Sequence, residues 1–157
     1  MARTSRRAVE WGLTLLIIML VTAYFGREFR NVQAQGELAA VKTTLGALRT
    51  ALLLDHLKRA IDGNEQATPA QTNPFLLLAP VPANYAGVLS ENQAKLLKPG
   101  TWVFDAYCRC IGYEPLYSYA LNTAADTSGV WFRISAPPGP LQITAMQSYR
   151  WQDQRLE

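Results

Sequence analysis

The run Trp11-Gly-Leu-Thr-Leu-Leu-Ile-Ile-Met-Leu-Val-Thr-Ala-Tyr-Phe-Gly26 carries no charge and lies between Glu10 and Arg27. As a helix it would span roughly 24 Å, against a bilayer hydrocarbon core of about 30 Å. It therefore reads as a short transmembrane helix or as the core of a signal peptide. Arg3, Arg6 and Arg7 precede it, and a basic flank of this kind predicts that the N-terminus stays in the cytoplasm. Trp11, Tyr24 and Phe25 stand where interfacial aromatics belong, so everything after Arg27 is expected on the far side of the membrane. Signal peptidase would cut at the small-residue pattern Val32-Gln33-Ala34. The interval before that cut holds Arg27, Glu28 and Arg30, and no proline occurs before Pro69. A charged, helix-compatible interval favours an anchor that signal peptidase leaves intact.

Beyond the apolar run the helix is predicted to continue. Leu38, Val41, Leu45, Leu48 and Leu52 follow alternating steps of three and four, the spacing of one packed helix face. Leu53, Leu57 and Ile61 repeat at every fourth position beside Leu54, with Asp55, Lys58 and Asp62 opposite. About 50 residues ending at Asp62 would make a rod of roughly 75 Å. Gly36 and Gly46 weaken it locally, each by about 1 kcal/mol relative to Ala, and are the expected places for a bend. Residues 63–72 are polar and interrupted by proline, which predicts a loop. Asn73-Pro74 then restarts structure, with Asn as N-cap and Pro at the first helical position of a short turn that presents Phe75.

After Pro99-Gly100 the pattern changes to short strands. Trp102 and Phe104 alternate with Val103, and Tyr107, Ile111 and Tyr113 alternate with the two cysteines. Val130, Phe132 and Ile134 share a face opposite Trp131 and Arg133, and Leu141, Ile143 and Ala145 line a further strand. Ala136-Pro-Pro-Gly-Pro140 is a turn by composition. The expectation is three or four antiparallel strands, too few to stand alone, covered by the Leu53, Leu57 and Ile61 face of the helix. The fold class is thus α+β, a long N-terminal helix packed against a small antiparallel sheet. Its parts are an apolar stretch at 13–26, a helical continuation at 27–62, a loop with a short helix at 63–100 and the sheet at 101–157.

The chain has 157 residues, 49% of them hydrophobic, with a net charge of +3 from 15 basic and 12 acidic side chains. Two of those charges arise before residue 11, and the remaining Lys and Arg are scattered among acids rather than set in a stripe. Nucleic acid is therefore not an expected partner. His56 is the single histidine, so neither a multi-imidazole zinc site nor a histidine triad is available, and it reads as a solvated helix-face residue. There is no phosphate-cradling glycine loop, no G-x-S-x-G and no H-E-x-x-H. Asp105, Glu114 and Asp126 lack a spacing that specifies a site. No catalytic residue, metal or cofactor is expected. Cys108-Arg-Cys110 is the unusual local feature: the pair reads as a labile redox switch or two ligands of a soft metal, or more simply as a local staple, a possible disulfide that needs a tight turn, or as buried thiols.

The sequence resembles type IV pilin-like proteins, most closely the pseudopilins and minor pilins of bacterial type II secretion and type IV pilus systems. Gly12-Leu13-Thr14-Leu15-Leu16 is similar to the family's opening of glycine, a large apolar or aromatic residue, Thr, Leu and Ile or Leu. Leu48-Arg49-Thr50-Ala51-Leu52, Asn73-Pro74-Phe75, Pro82-Ala83-Asn84-Tyr85-Ala86-Gly87 and Pro99-Gly100-Thr101-Trp102-Val103-Phe104-Asp105 also look like pilin-like segments. The resemblance implies a basic leader at 1–12, cut by prepilin peptidase between Gly12 and Leu13, with Leu13 becoming an N-methylated first residue. It implies that Leu15, Leu16, Ile17, Met19 and Leu20 pack against other pilin or pseudopilin helices in a filament and against lipid before assembly. Ile17 stands where major pilins carry a glutamate that pairs with a neighbour's terminal amine, so such a pair is missing here, compatible with a minor subunit at a filament tip. The implied partners are prepilin peptidase, sister subunits and inner-membrane assembly proteins. The implied place is the bacterial inner membrane, single-pass, with the C-terminal domain in the periplasm and no enzymatic activity. An uncleaved, membrane-tethered periplasmic binding or scaffold protein would share the same anchor and sheet.

Overall fold

In the computed structural model the described residues are 2–63, 73–89, 97–123, 129–135 and 141–156, with side chains described from residue 9 onward. Most of the expected loop at 63–72, the turn at 136–140 and Asp126 lie outside them. The layout is α+β, a long N-terminal helix and a small mixed sheet, and the chain divides into two compact units, Met1–Gly36 and Glu37–Glu157.

Helix α1 runs Ala2–Ile61 and stays α-helical through Gly36 and Gly46. In the second unit its buried side chains are Leu38, Val41, Leu45, Leu48 and Leu52, the stripe that the three-and-four spacing predicts. Each contributes about 1.5–3 kcal/mol by leaving water, which is why tertiary packing rather than propensity holds this part of the helix. The expected cover by Leu53, Leu57 and Ile61 is not what forms. Those three are 48%, 48% and 84% exposed, because one helix face can be buried against the sheet and the heptad stripe ending at Leu52 occupies it. Asp55 and Arg59 form an ion pair at 2.8 Å along this last stretch.

Asn73 caps a four-residue 3-10 turn, Pro74–Leu77, its side-chain oxygen accepting from the Phe75 N–H at 3.0 Å. The Asn73 amide donates to the Tyr85 hydroxyl at 2.5 Å, which accounts for a polar side chain only 8% exposed. Among the described residues eight strands follow: β1 Tyr85–Leu89, β2 Thr101–Asp105, β3 Cys110–Glu114, β4 Leu121–Thr123, β5 Val130–Ile134, β6 Ile143–Ala145, β7 Tyr149–Trp151 and β8 Gln154–Leu156. They make a five-stranded sheet in the order β1-β2-β3-β5-β6 and a three-stranded sheet β4-β7-β8.

The first sheet is mixed rather than antiparallel, because β1 pairs with β2 in parallel while the other neighbours are antiparallel. β1 falls in the segment expected to be loop. Its register is irregular between Tyr85 and Val88, where Gly87 has φ +105°; burial alternates along it, but Gly87 takes a half-buried position and Val88 an exposed one, so the residue types do not show the alternation by which a strand is recognised. The number of strands also exceeds the expected three or four, since β4, β6, β7 and β8 have three residues each and cannot show a period.

Trp102 and Phe104 alternate with Val103 along β2 as expected, and all three are buried. The cover of Val103 is Trp131: a Cβ built on Gly112 would meet the Trp131 ring at 2.8 Å and Val103 Cγ2 at 2.9 Å. The absent side chain at Gly112 lets the indole lie flat across the outer face. On the inner face a row of rings links the elements: Phe75 stacks on Tyr85 at 4.3 Å, Trp102 lies 6.0 Å from Phe75 and 4.6 Å from Tyr113, and Tyr113 lies 6.5 Å from Trp151. The Trp131 N–H donates to the Tyr149 hydroxyl at 2.8 Å, tying β5 to β7 of the smaller sheet.

Candidate functional site: the uncovered apolar stretch of the helix

Every side chain from Val9 to Val32 is exposed. Between Leu13 and Val21 the apolar residues occupy all sides of the helix, a distribution that no single packed face could bury and that suits a lipid or helix-bundle environment. The helix, taken from Val9 to Ile61, is long and apolar enough to cross a membrane. Leu15, Leu16, Ile17, Met19 and Leu20 are 50–76% exposed, Leu13 lies among them, and Gly12 has open space around its Cα. Gly12 and Leu13 are both within α1.

The polar groups in this stretch are satisfied inside the helix. Thr14 Oγ1 donates to the Glu10 carbonyl at 2.5 Å and Thr22 Oγ1 to the Ile18 carbonyl at 2.7 Å. A threonine that returns its hydroxyl to the preceding turn presents only its methyl outward, as an apolar surround demands. Tyr24 and Phe25 meet edge to face at 6.0 Å.

In the second unit the principal polar group on the helix is Glu37. Its carboxylate accepts from the Tyr113 hydroxyl at 2.8 Å, from the Leu116 N–H at 2.6 Å and from the Tyr117 N–H at 3.1 Å. Burial raises the Tyr113 pKa, and the hydrogen bond and negative charge of Glu37 push it further up. Burial likewise raises the pKa of Tyr85, partly offset by the Asn73 bond, and that of the Glu114 carboxyl. Sequence reasoning missed Glu37. Its one available signal is a lone acid directly before Leu38, the first residue of the packed stripe.

Cys108 and Cys110 are joined as a disulfide with Cα atoms 5.2 Å apart. They do not share a strand as expected. Cys108 lies in a turn and Cys110 opens β3, because the Asp105 carboxylate accepts from the Tyr107 and Cys108 N–H groups and Arg109 takes φ +54°. Tyr107, expected on a strand with Ile111 and Tyr113, is 88% exposed on that turn. His56 is half-buried on α1, Asp105 is engaged by the turn, and among the described residues no three His, Cys, Asp or Glu side chains gather as a metal site. No protein-family model, curated protein or solved structure matches this chain.

Proposed function

We propose that this protein is a membrane-anchored pilin-like subunit, of the pseudopilin or minor-pilin kind, that assembles into or primes a type IV pilus or type II secretion pseudopilus through its N-terminal helix. The observation that carries the proposal is one unbroken helix with two kinds of surface. From Val9 to Val32 it is exposed, with apolar side chains on all sides between Leu13 and Val21, and from Leu38 to Leu52 a single stripe is buried. The first part dissolves in a bilayer as a monomer and can exchange lipid for neighbouring helices in a filament core, where close packing offsets the loss of lipid contact. The second part belongs to the sheet domain, which on this reading lies in the periplasm, a side that the basic flank of Arg3, Arg6 and Arg7 favours. The work is assembly, with prepilin peptidase, sister subunits and inner-membrane assembly proteins as partners, and no bond chemistry.

Intact mass of the membrane-purified protein from cells with and without prepilin peptidase tests this. Loss of residues 1–12 plus one methyl group, only when the peptidase is present, supports a processed subunit. An unchanged full-length mass in both strains sinks it in favour of a permanent single-pass tether. The α-helical geometry across Gly12 and Leu13, together with Ile17 in place of the family's glutamate, is what speaks for that second reading.

A further inference from the structure

β6 is the last strand of the five-stranded sheet, and among the described residues its outer edge has no neighbouring strand. The Ser135 N–H donates to the Gln142 carbonyl and the Met146 N–H to the Trp131 carbonyl, both at 2.9 Å. By the alternation of an antiparallel ladder, the main-chain groups of Gln142, Thr144 and Met146 point toward β5, and those of Ile143 and Ala145 point away from it. Arg49 of α1 donates to the Ile143 carbonyl at 3.3 Å. The N–H and C=O of Ala145 remain for an incoming chain.

Ala145 lines a cavity of 430 Å³ together with Arg49, Gln147, Ser148 and Arg155, and no acidic residue lines it. Arg155 stands directly opposite Arg150 across β7 and β8, a like-charge pair that opposes strand pairing unless a negative group lies close by. Both arginines are exposed, and neither has a carboxylate partner among the described residues. An unspent strand edge calls for an extended backbone. The Arg155 guanidinium, with no acid among the residues lining the cavity beside that edge, calls for a carboxylate.

We propose that the β6 edge and this cavity bind an extended acidic peptide segment of a partner protein by strand addition. The partner's backbone pairs with Ala145, and a carboxylate side chain lies against Arg155 in the cavity that Arg49 also lines. Arg155 selects for charge, while the β6 edge selects for extended conformation. The site lies wholly within the sheet-bearing unit and does not require the leader to be cut.

The test uses the full chain in detergent micelles, titrated into a fluorescent hexapeptide of alternating Glu and Val, with a Lys and Val peptide as the charge control. Saturable binding of the acidic peptide alone is expected. Arg155→Gln should weaken it about tenfold, the loss of one charge-assisted contact, with an unchanged melting temperature. Ala145→Pro should abolish it, since it removes an outward N–H and spares the Thr144 and Met146 bonds to β5. Should that variant not fold, amide exchange on the unaltered protein decides: slowed exchange at Ala145 on adding peptide supports pairing, and unchanged exchange overturns it. Equal binding of the basic peptide, indifference to Arg155→Gln, or full competition by inorganic phosphate at equal concentration would each refute the proposal.

Discussion

Glu37 and Tyr113 are 76 positions apart in sequence and meet in a 2.8 Å hydrogen bond, through a carboxylate that also takes the Leu116 and Tyr117 N–H groups. One helix residue thereby holds the end of β3 and the segment that leaves it. Apolar packing along the Leu38 to Leu52 stripe supplies most of the attraction between helix and sheet, but it is tolerant of small sliding. Three convergent donors on one carboxylate are not, so the latch sets the position that the stripe leaves loose.

Glu37→Ala should destabilise the protein by about 2–4 kcal/mol, because it strands a half-buried hydroxyl and two N–H groups rather than removing one bond. Chemical denaturation in detergent measures this. A loss under about 0.5 kcal/mol, the usual range of surface substitutions, would mean that water replaces the carboxylate without penalty.

Stability should fall in alkali through Tyr113. Its folded pKa is raised by burial and by Glu37, so the folded protein keeps the phenol proton while the unfolded chain gives it up above pH about 10. The contribution is fully present below that pH and drains away as pH rises beyond it. Tyr113→Phe should melt at a lower temperature at neutral pH and lose less on going to pH about 11. Parallel curves for the two proteins would assign the alkaline loss to other groups.

Gly112→Ala should cost about 1–3 kcal/mol by overpacking. The new methyl would meet both the Trp131 ring and Val103. The indole edge can swing outward, but a valine on a central strand cannot. Calorimetric melting gives the magnitude, and Trp131→Ala in the same chain should recover part of it.

Leu16→Lys should abolish incorporation into filaments while leaving the sheet domain as stable as before, because a lysine in the middle of the apolar stretch costs roughly 2.5–3.5 kcal/mol in a bilayer centre and breaks close helix packing. Filament shearing followed by immunodetection checks the first half, and hydrogen exchange of β2 and β3 the second. Normal incorporation would remove the packing basis of the proposed function.

How far the sequence carries can be seen at particular residues. The apolar run and the Leu38-to-Leu52 stripe were legible because each repeats a local period over several turns. Leu53, Leu57 and Ile61 have an equally good period and yet stay exposed, since periodicity shows that a face is apolar and not which partner reaches it. β1 was hidden because Gly87 takes a half-buried position and Val88 an exposed one, and Val103 by a cover that comes from Trp131 on another strand. Glu37 was hidden because its three donors are brought together only by the fold. For the proposed strand-addition edge, β6 is three residues long, and the charge opposition of Arg150 and Arg155 depends on a pairing that no local pattern states.

The row of rings from Phe75 through Tyr85, Trp102 and Tyr113 to Trp151 also gives this protein an optical signature of its own. Neighbouring centroids are 4.3–6.5 Å apart, close enough for their transitions to couple, and the rings come from the capped turn and from strands of both sheets. Their near-ultraviolet circular dichroism is therefore a collective reading of native packing. Trp11 lies in the exposed apolar stretch, so its emission colour is left to register the surrounding solvent, lipid or protein. Because Trp102, Trp131 and Trp151 emit as well, the difference from a Trp11→Phe variant isolates that helix channel, while circular dichroism reports domain integrity.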